Sequence, residues 1–127
     1  MAKQIVHPQG SYPTAGYARG VRAGDTLYLA GHIARRPDGQ VVAGDVAAQA
    51  EQVFRNLGEV LAAAGADFSA LVKMTIYALE PEYRLPILAV RDRYCQPGTF
   101  ASTFVVPRAL ASPDLLVEIE AVAYLGD

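Results

Sequence analysis

Two glutamates sit two residues apart near the C-terminus, inside the otherwise apolar stretch LLVEIEAVAYL from Leu115 to Leu125. Alternate side chains of a strand share a face, so Glu118 and Glu120 are expected beside Leu116, Val122 and Tyr124. Carboxylates on such a mixed face have two readings. They keep a solvated sheet edge soluble, or they meet donors of another chain at an interface, poised to orient water or take a proton. Burial would raise such a pKa and hydrogen bonds to the ionised form would lower it.

Other residues could do chemistry. Tyr17 and Arg19 are also two apart and are expected on one side of a first strand, as a surface pair or as part of a site. Gly31 interrupts the strand-like LAGHI, where a glycine marks a bulge, a close approach of ligand or backbone, or a simple twist. His32 is the one histidine outside the N-terminal stretch, and a His-assisted nucleophile would need Ser102, Thr103 or Cys95 as its partner. There is no GxSxG elbow and no phosphate-cradling glycine loop. The single Cys95 can form no internal disulfide, and no Cys/His group has zinc-site spacing. Neither a metal nor a cofactor is expected, and a reducing compartment fits best.

The elements that position these residues follow from period and punctuation. Residues 1–16, rich in Gly, Pro and Ser, read as an arm or loop. Strand character begins at Tyr17 (YARGVR), turns at Gly24-Asp25 and continues through TLYLAGHI. Pro37-Asp38-Gly39 marks another turn. Then Val46, Ala50, Val53, Phe54, Leu57, Val60, Leu61 and Ala64 recur at helical spacing, with Asp45 placed as N-cap and Gly65 as the stop. Leu71–Leu79 returns to strand. A second helix follows Pro81, with Tyr83, Ile87, Val90 and Tyr94 on one face and Pro86 limiting its first turn. Strands at Ala101–Val106 and Leu115–Leu125 close the chain. The order β-β-α-β-α-β-β over a single domain, 1–127, is an α+β layer with both helices on one face of a sheet. The other face is left for water, a ligand or another subunit.

Bulk properties bound the function. The chain has 127 residues, 52% hydrophobic and 19% charged, enough for one folded core. That apolar share leans towards an oligomer. With net charge −2 and no basic cluster, nucleic-acid binding is disfavoured, since it needs a positive footprint. No stretch is long and apolar enough for a signal peptide or a membrane span, so no membrane partner is expected and the cytoplasm is the default location.

Taken together, three segments resemble the RidA/YjgF family, the reactive intermediate (enamine/imine) deaminases. They are GYARGVRAGDTLYLAGHI, GDVAAQAEQVFRNLGEVLAAAGADFSALVKMTIYAL and LLVEIEAVA, in that order and spacing. The resemblance runs from about Tyr17 to the end. It implies a chorismate-mutase-like fold, a homotrimer whose sheets form a central barrel, and small-molecule clefts between subunits. It also implies cofactor-free hydrolysis of 2-aminoacrylate-type enamines and imines to a 2-keto acid and ammonia. By the same resemblance Glu118 would position water, Tyr17 would complete the cleft as a proton donor or acceptor, and backbone groups near Gly31 or Thr103 would hold an oxygen. Arg19, His32, Ala101, Thr103 and Glu120 fall at candidate substrate-binding positions.

One departure bears on the substrate. The family's deaminases carry Pro-Ala-Arg-Ser at the start of the penultimate strand, where an arginine grips the substrate carboxylate; this chain reads TFAS, with Ala101 at the arginine position. Two accounts compete. Arg19 supplies the cation from the first strand, or Ala101 and Phe100 make the cleft larger and less polar, suited to a ligand other than a small amino-acid enamine. The second is favoured. The expected function is hydrolysis or acid/base tautomerisation of a small imine, enamine or related metabolite, with a non-catalytic metabolite- or partner-binding trimer as the alternative.

Overall fold

A computed structural model describes residues 2–126. Its elements are β1 (Gln4–Val6), β2 (Gly20–Ala23), β3 (Thr26–His32), α1 (Val46–Ala63), β4 (Leu71–Ala78), α2 (Arg84–Tyr94), β5 (Ala101–Val105) and β6 (Val117–Tyr124), with short 3-10 turns at Phe68–Ala70 and Pro81–Tyr83. One six-stranded sheet runs in the order β1-β2-β3-β6-β4-β5. The neighbours are antiparallel except β4 and β5, which are parallel and joined through α2.

Helix α1 forms where its period requires. The Asp45 side chain accepts a hydrogen bond from the Ala47 N–H at 3.2 Å, the N-cap role read from the sequence. At the other end Gly65 adopts φ +79°, and the N–H groups of Gly65 and Ala66 close back on the carbonyls of Ala62 and Leu61, a Schellman stop. Val53, Phe54, Leu57, Val60 and Leu61 are fully buried against Leu27, Leu29, Met74, Ile76 and Ile119 of the sheet. Each such side chain contributes about 1.5–3 kcal/mol relative to exposure. In α2, Pro86 occupies the first turn, where its missing N–H has no intrahelical partner to lose. The α1–α2 seam is closed by Phe54 stacked on Tyr94 at 5.5 Å between ring centroids.

Both helices therefore cover one sheet face, as expected. Two details of the expected order are corrected. The arm is not all loop: Gln4–Val6 pairs antiparallel with Gly20–Arg22 and adds a sixth strand. And β2 starts at Gly20, so Tyr17 and Arg19 precede it in a bent segment, where the alternation rule for strands does not apply.

Candidate active site

On β6, Val117, Ile119, Ala121 and Ala123 point into the core, and Glu118, Glu120, Val122 and Tyr124 point to the helix-free face. Strand β4 lies alongside, with Tyr77 opposite Glu118 and Thr75 opposite Glu120. Its outward residues are Lys73, Thr75 and Tyr77, and β5 continues the face with Ala101 opposite Lys73 and Thr103 opposite Thr75. The two carboxylates thus sit at the β6 side of a largely polar face that spans β6, β4 and β5.

Glu118 is half-buried, and its carboxylate fills the space over Gly31. A Cβ on residue 31 would overlap Glu118 Oε2, so glycine there lets the acid keep this place and any side chain would push it aside. The β3–β6 register shifts between Leu29 and His32, a bulge that turns this backbone towards the carboxylate. Glu120 is more exposed and accepts a hydrogen bond from the Tyr77 hydroxyl at 2.5 Å. Pro107, Ala109 and Leu110, from the loop between β5 and β6, line an open hollow of about 250 Å³ with Gly31, Tyr77, Glu118 and Glu120.

Burial raises the pKa of Glu118 above the ordinary carboxylate value, and the neighbouring negative charge of Glu120 raises it further. A carboxyl group in this state holds a proton more readily than a surface acid and can give it back, the property an acid/base catalyst needs. The Tyr77 hydroxyl is held to its proton by its bond to Glu120. Tyr77 had no place among the sequence candidates. The alternation of Lys73, Thr75 and Tyr77 within LVKMTIYAL is the signal that would have found it.

The remaining candidates divide. Gly31, Glu118 and Glu120 come together; Ala101 and Thr103 lie on the same face two strands away. Tyr17 is 55% exposed on the segment before β2 and does not line the cavity of its own protomer. Arg19 and His32 point the other way. Arg19 is 1% exposed and His32 2%, and both are packed under α1. Arg19 Nη2 donates to the Asn56 carbonyl at 3.1 Å and stands 3.6 Å from Glu59, while its guanidinium lies over the Tyr12 ring. Within the protomer Arg19 therefore reaches neither Glu118 nor the place left by Ala101, because its chain position precedes the β2 pleat and the buried Asn56 carbonyl and the Glu59 carboxylate of α1 hold it.

His32 has no nucleophile beside it. Its Nε2 receives Arg19 Nε at 3.2 Å, and its Nδ1 bonds the Ala30 carbonyl at 2.6 Å. Burial, and less strongly the charge of Arg19, lower its pKa to about 4 against the bond to Ala30. Ser102 instead meets Arg91, Thr103 meets Lys73, and burial pushes the Cys95 thiol up to about 11. The His-assisted nucleophile is thereby removed. Among the described residues no three or more His, Cys, Asp or Glu side chains are grouped to hold a metal ion, and no helix is long and apolar enough to cross a membrane.

A family model described as Endoribonuclease L-PSP matches residues 8–125. The chain belongs to this family, RidA/YjgF. A RutC family protein of Pyrococcus horikoshii is 33% identical over 124 residues, covering 96% of this chain and 98% of that one. The human 2-iminobutanoate/2-iminopropanoate deaminase is 33% identical over 111 residues, covering 87% of this chain and 80% of the relative. Among solved structures, RidA from an Antarctic Psychrobacter superposes with a TM-score of 0.86 at 27% identity over 95% of this chain and 99% of that one. The RidA/YjgF fold expected from the sequence is the fold observed.

Proposed function

We propose that this RidA/YjgF protein hydrolyses a small imine or enamine at the Glu118 cavity, with the cavity completed by neighbouring copies in a cytoplasmic homotrimer. The observation that carries the reading is the half-buried carboxyl group of Glu118, seated over Gly31 between Glu120, Tyr77 and the Pro107–Leu110 loop.

In this scheme water bound to Glu118 adds its oxygen to the imine carbon. One water proton passes to Glu118 as the C=N electron pair moves to nitrogen. The nitrogen takes that proton, giving a carbinolamine. The carbinolamine hydroxyl then gives its proton by the same route, the C–N bond breaks, and ammonia leaves a carbonyl product. Glu118 ends as it began, and the sum is imine plus water to ketone plus ammonia. Backbone N–H groups near Gly31 or Thr103 hold the developing oxygen. Tyr17, exposed before β2, donates or receives a proton in the cavity of an adjacent copy. RNA lies outside the proposed substrate class, because a polyanion needs a positive footprint and the net charge is −2.

The test is ammonia release from freshly generated 2-iminobutanoate. Wild type is expected to turn it over, and Glu118→Gln to lose most of that rate while folding normally. Equal rates in the two proteins would remove Glu118 from the chemistry. A second reading, a trimer that binds a metabolite or partner without turnover, is favoured by Ala101, which leaves its position exposed and uncharged. Native mass spectrometry showing a retained ligand, with no turnover of any imine or enamine, would select it.

A further inference from the structure

The hollow beside Glu118 is charged one way only. Glu118 and Glu120 line it from β6 and Tyr77 from β4, while Pro107, Ala109 and Leu110 supply an apolar wall. Among the described residues no lysine, arginine or histidine lines it. The cations of this region are engaged or turned aside. Lys73 donates to Thr103 on β5, two strands from Glu118, and Arg19 is held under α1. Arg108, in the loop itself, is exposed and does not reach the hollow. Tyr77 gives its hydroxyl proton to Glu120. The half-buried Glu118 carboxylate accepts no hydrogen bond among the described residues.

We infer that the ligand of this hollow is a small cation: a protonated imine on a short apolar chain, with no carboxylate of its own. This rests on the proposed imine hydrolysis and deepens it by naming the substrate class. Burial, and then the charge of Glu120, hold the Glu118 pKa above its ordinary value, and a cation beside the pair offsets that repulsion. A protonated imine also brings N–H donors to a carboxylate that has none. An imino acid brings a carboxylate as well, one bond from the imine carbon, against two acids and with no cation to receive it. Like charges placed together reject a ligand. The apolar chain meets Pro107, Ala109 and Leu110, and the size is modest. About 250 Å³ lies below the range of about 300–1,000 Å³ that suits drug-sized ligands. The reaction keeps its balance: the protonated imine plus water gives an aldehyde or ketone plus ammonium. On this assignment 2-iminobutanoate is a substrate, but a poorer one than its carboxylate-free counterpart, propan-1-imine.

The experiment titrates butanamidine, a stable cation shaped like a protonated imine on a short chain. It is compared with butanamide, its neutral counterpart, and with the anion 2-oxobutanoate, in wild type, Glu118→Gln and Glu120→Gln. Turnover of 2-iminobutanoate is followed in parallel, and butanamidine should inhibit it competitively. A charge-assisted hydrogen bond changes binding about 10- to 100-fold. Wild type should therefore bind butanamidine at least about 10-fold tighter than butanamide, and 2-oxobutanoate no tighter than the amide. Each glutamine variant should lose about 10-fold in amidine affinity with amide binding unchanged. Acetamidine, two methylenes shorter, should bind wild type about 5-fold weaker than butanamidine. Thermal midpoints check folding, with Glu120→Ser as a second uncharged variant.

An amidine bound no tighter than the amide, a 2-oxobutanoate bound tighter than either, or an amidine preference that survives both glutamine substitutions overturns the inference. If wild type does not hydrolyse 2-iminobutanoate while amidine binding still depends on the two acids, the proposed hydrolysis fails alone. If turnover depends on Glu118 and 2-oxobutanoate outbinds the amidine, the cation assignment fails alone.

Discussion

Arg19 and His32 form one buried unit: the guanidinium donates through Nε to His32 Nε2 at 3.2 Å, and the imidazole spends its other nitrogen on the Ala30 carbonyl at 2.6 Å. An imidazole that accepts from an arginine must be neutral, since its protonated form has no acceptor. The pair locks the segment before β2 to the end of β3, beneath α1.

That geometry sets a pH dependence of stability. His32 titrates at about 4 in the folded protein and at an ordinary 6.5 when unfolded. The unfolded chain therefore takes up a proton first as pH falls. The contribution is complete above pH 6.5 and is lost on the way down to about 4, roughly 3 kcal/mol in all. Urea unfolding from pH 7.5 to 4 should show this fall in wild type and a flatter curve in His32→Gln, whose amide can still accept from Arg19. Parallel curves would place the proton uptake elsewhere.

Gly31→Ala should separate activity from folding. The atoms nearest the new methyl group all belong to the flexible Glu118 side chain, so the cost in stability should be about 1 kcal/mol, the low end for overpacking. The carboxylate must swing away, and a displacement near 1 Å at a reacting group can cost about 100-fold in rate. A variant with wild-type turnover of 2-iminobutanoate would show that the seat over Gly31 is not needed.

Glu120→Gln tests the electrostatics of the pair. Burial is the larger reason that the Glu118 pKa is raised and the Glu120 charge the smaller. Removing that charge should bring the acid limb of the kcat/KM profile to lower pH without restoring an ordinary carboxylate value. Tyr77→Phe, which keeps the Glu120 charge, should leave the limb higher than in Glu120→Gln. A limb that moves up, or stays, in Glu120→Gln would assign it to another group.

Tyr28→Glu addresses the expected trimer. Tyr28 is an exposed aromatic on β3, opposite Val122 on the helix-free face, where a buried charge would be costly. Sedimentation equilibrium should give three copies for wild type and one for the variant. A trimeric variant would move the interface off this face.

What could be read in advance divides along a physical line. Helix α1 was legible because its stripe, Asp45 and Gly65 are local signals. The orientation of Glu118 and Glu120 was legible because parity along an established strand is unambiguous. Strand β1 was missed: three residues acquire strand geometry only by pairing with Gly20–Arg22, a distant partner that composition does not reveal. The same parity rule misplaced Arg19 beside Tyr17, since neither belongs to β2. The seat of Glu118 over Gly31 joins strands far apart in the chain, so the glycine could be marked as special but not explained.

That seat also has a meaning for how such a protein can change over generations. Positions 31 and 118 share one small volume, so neither drifts alone: a side chain gained at 31 displaces the acid at 118, and an acid shortened at 118 releases the demand for glycine. Changes at the two positions should therefore be correlated, and a lineage that loses the acid at 118 should be free to lose the glycine at 31.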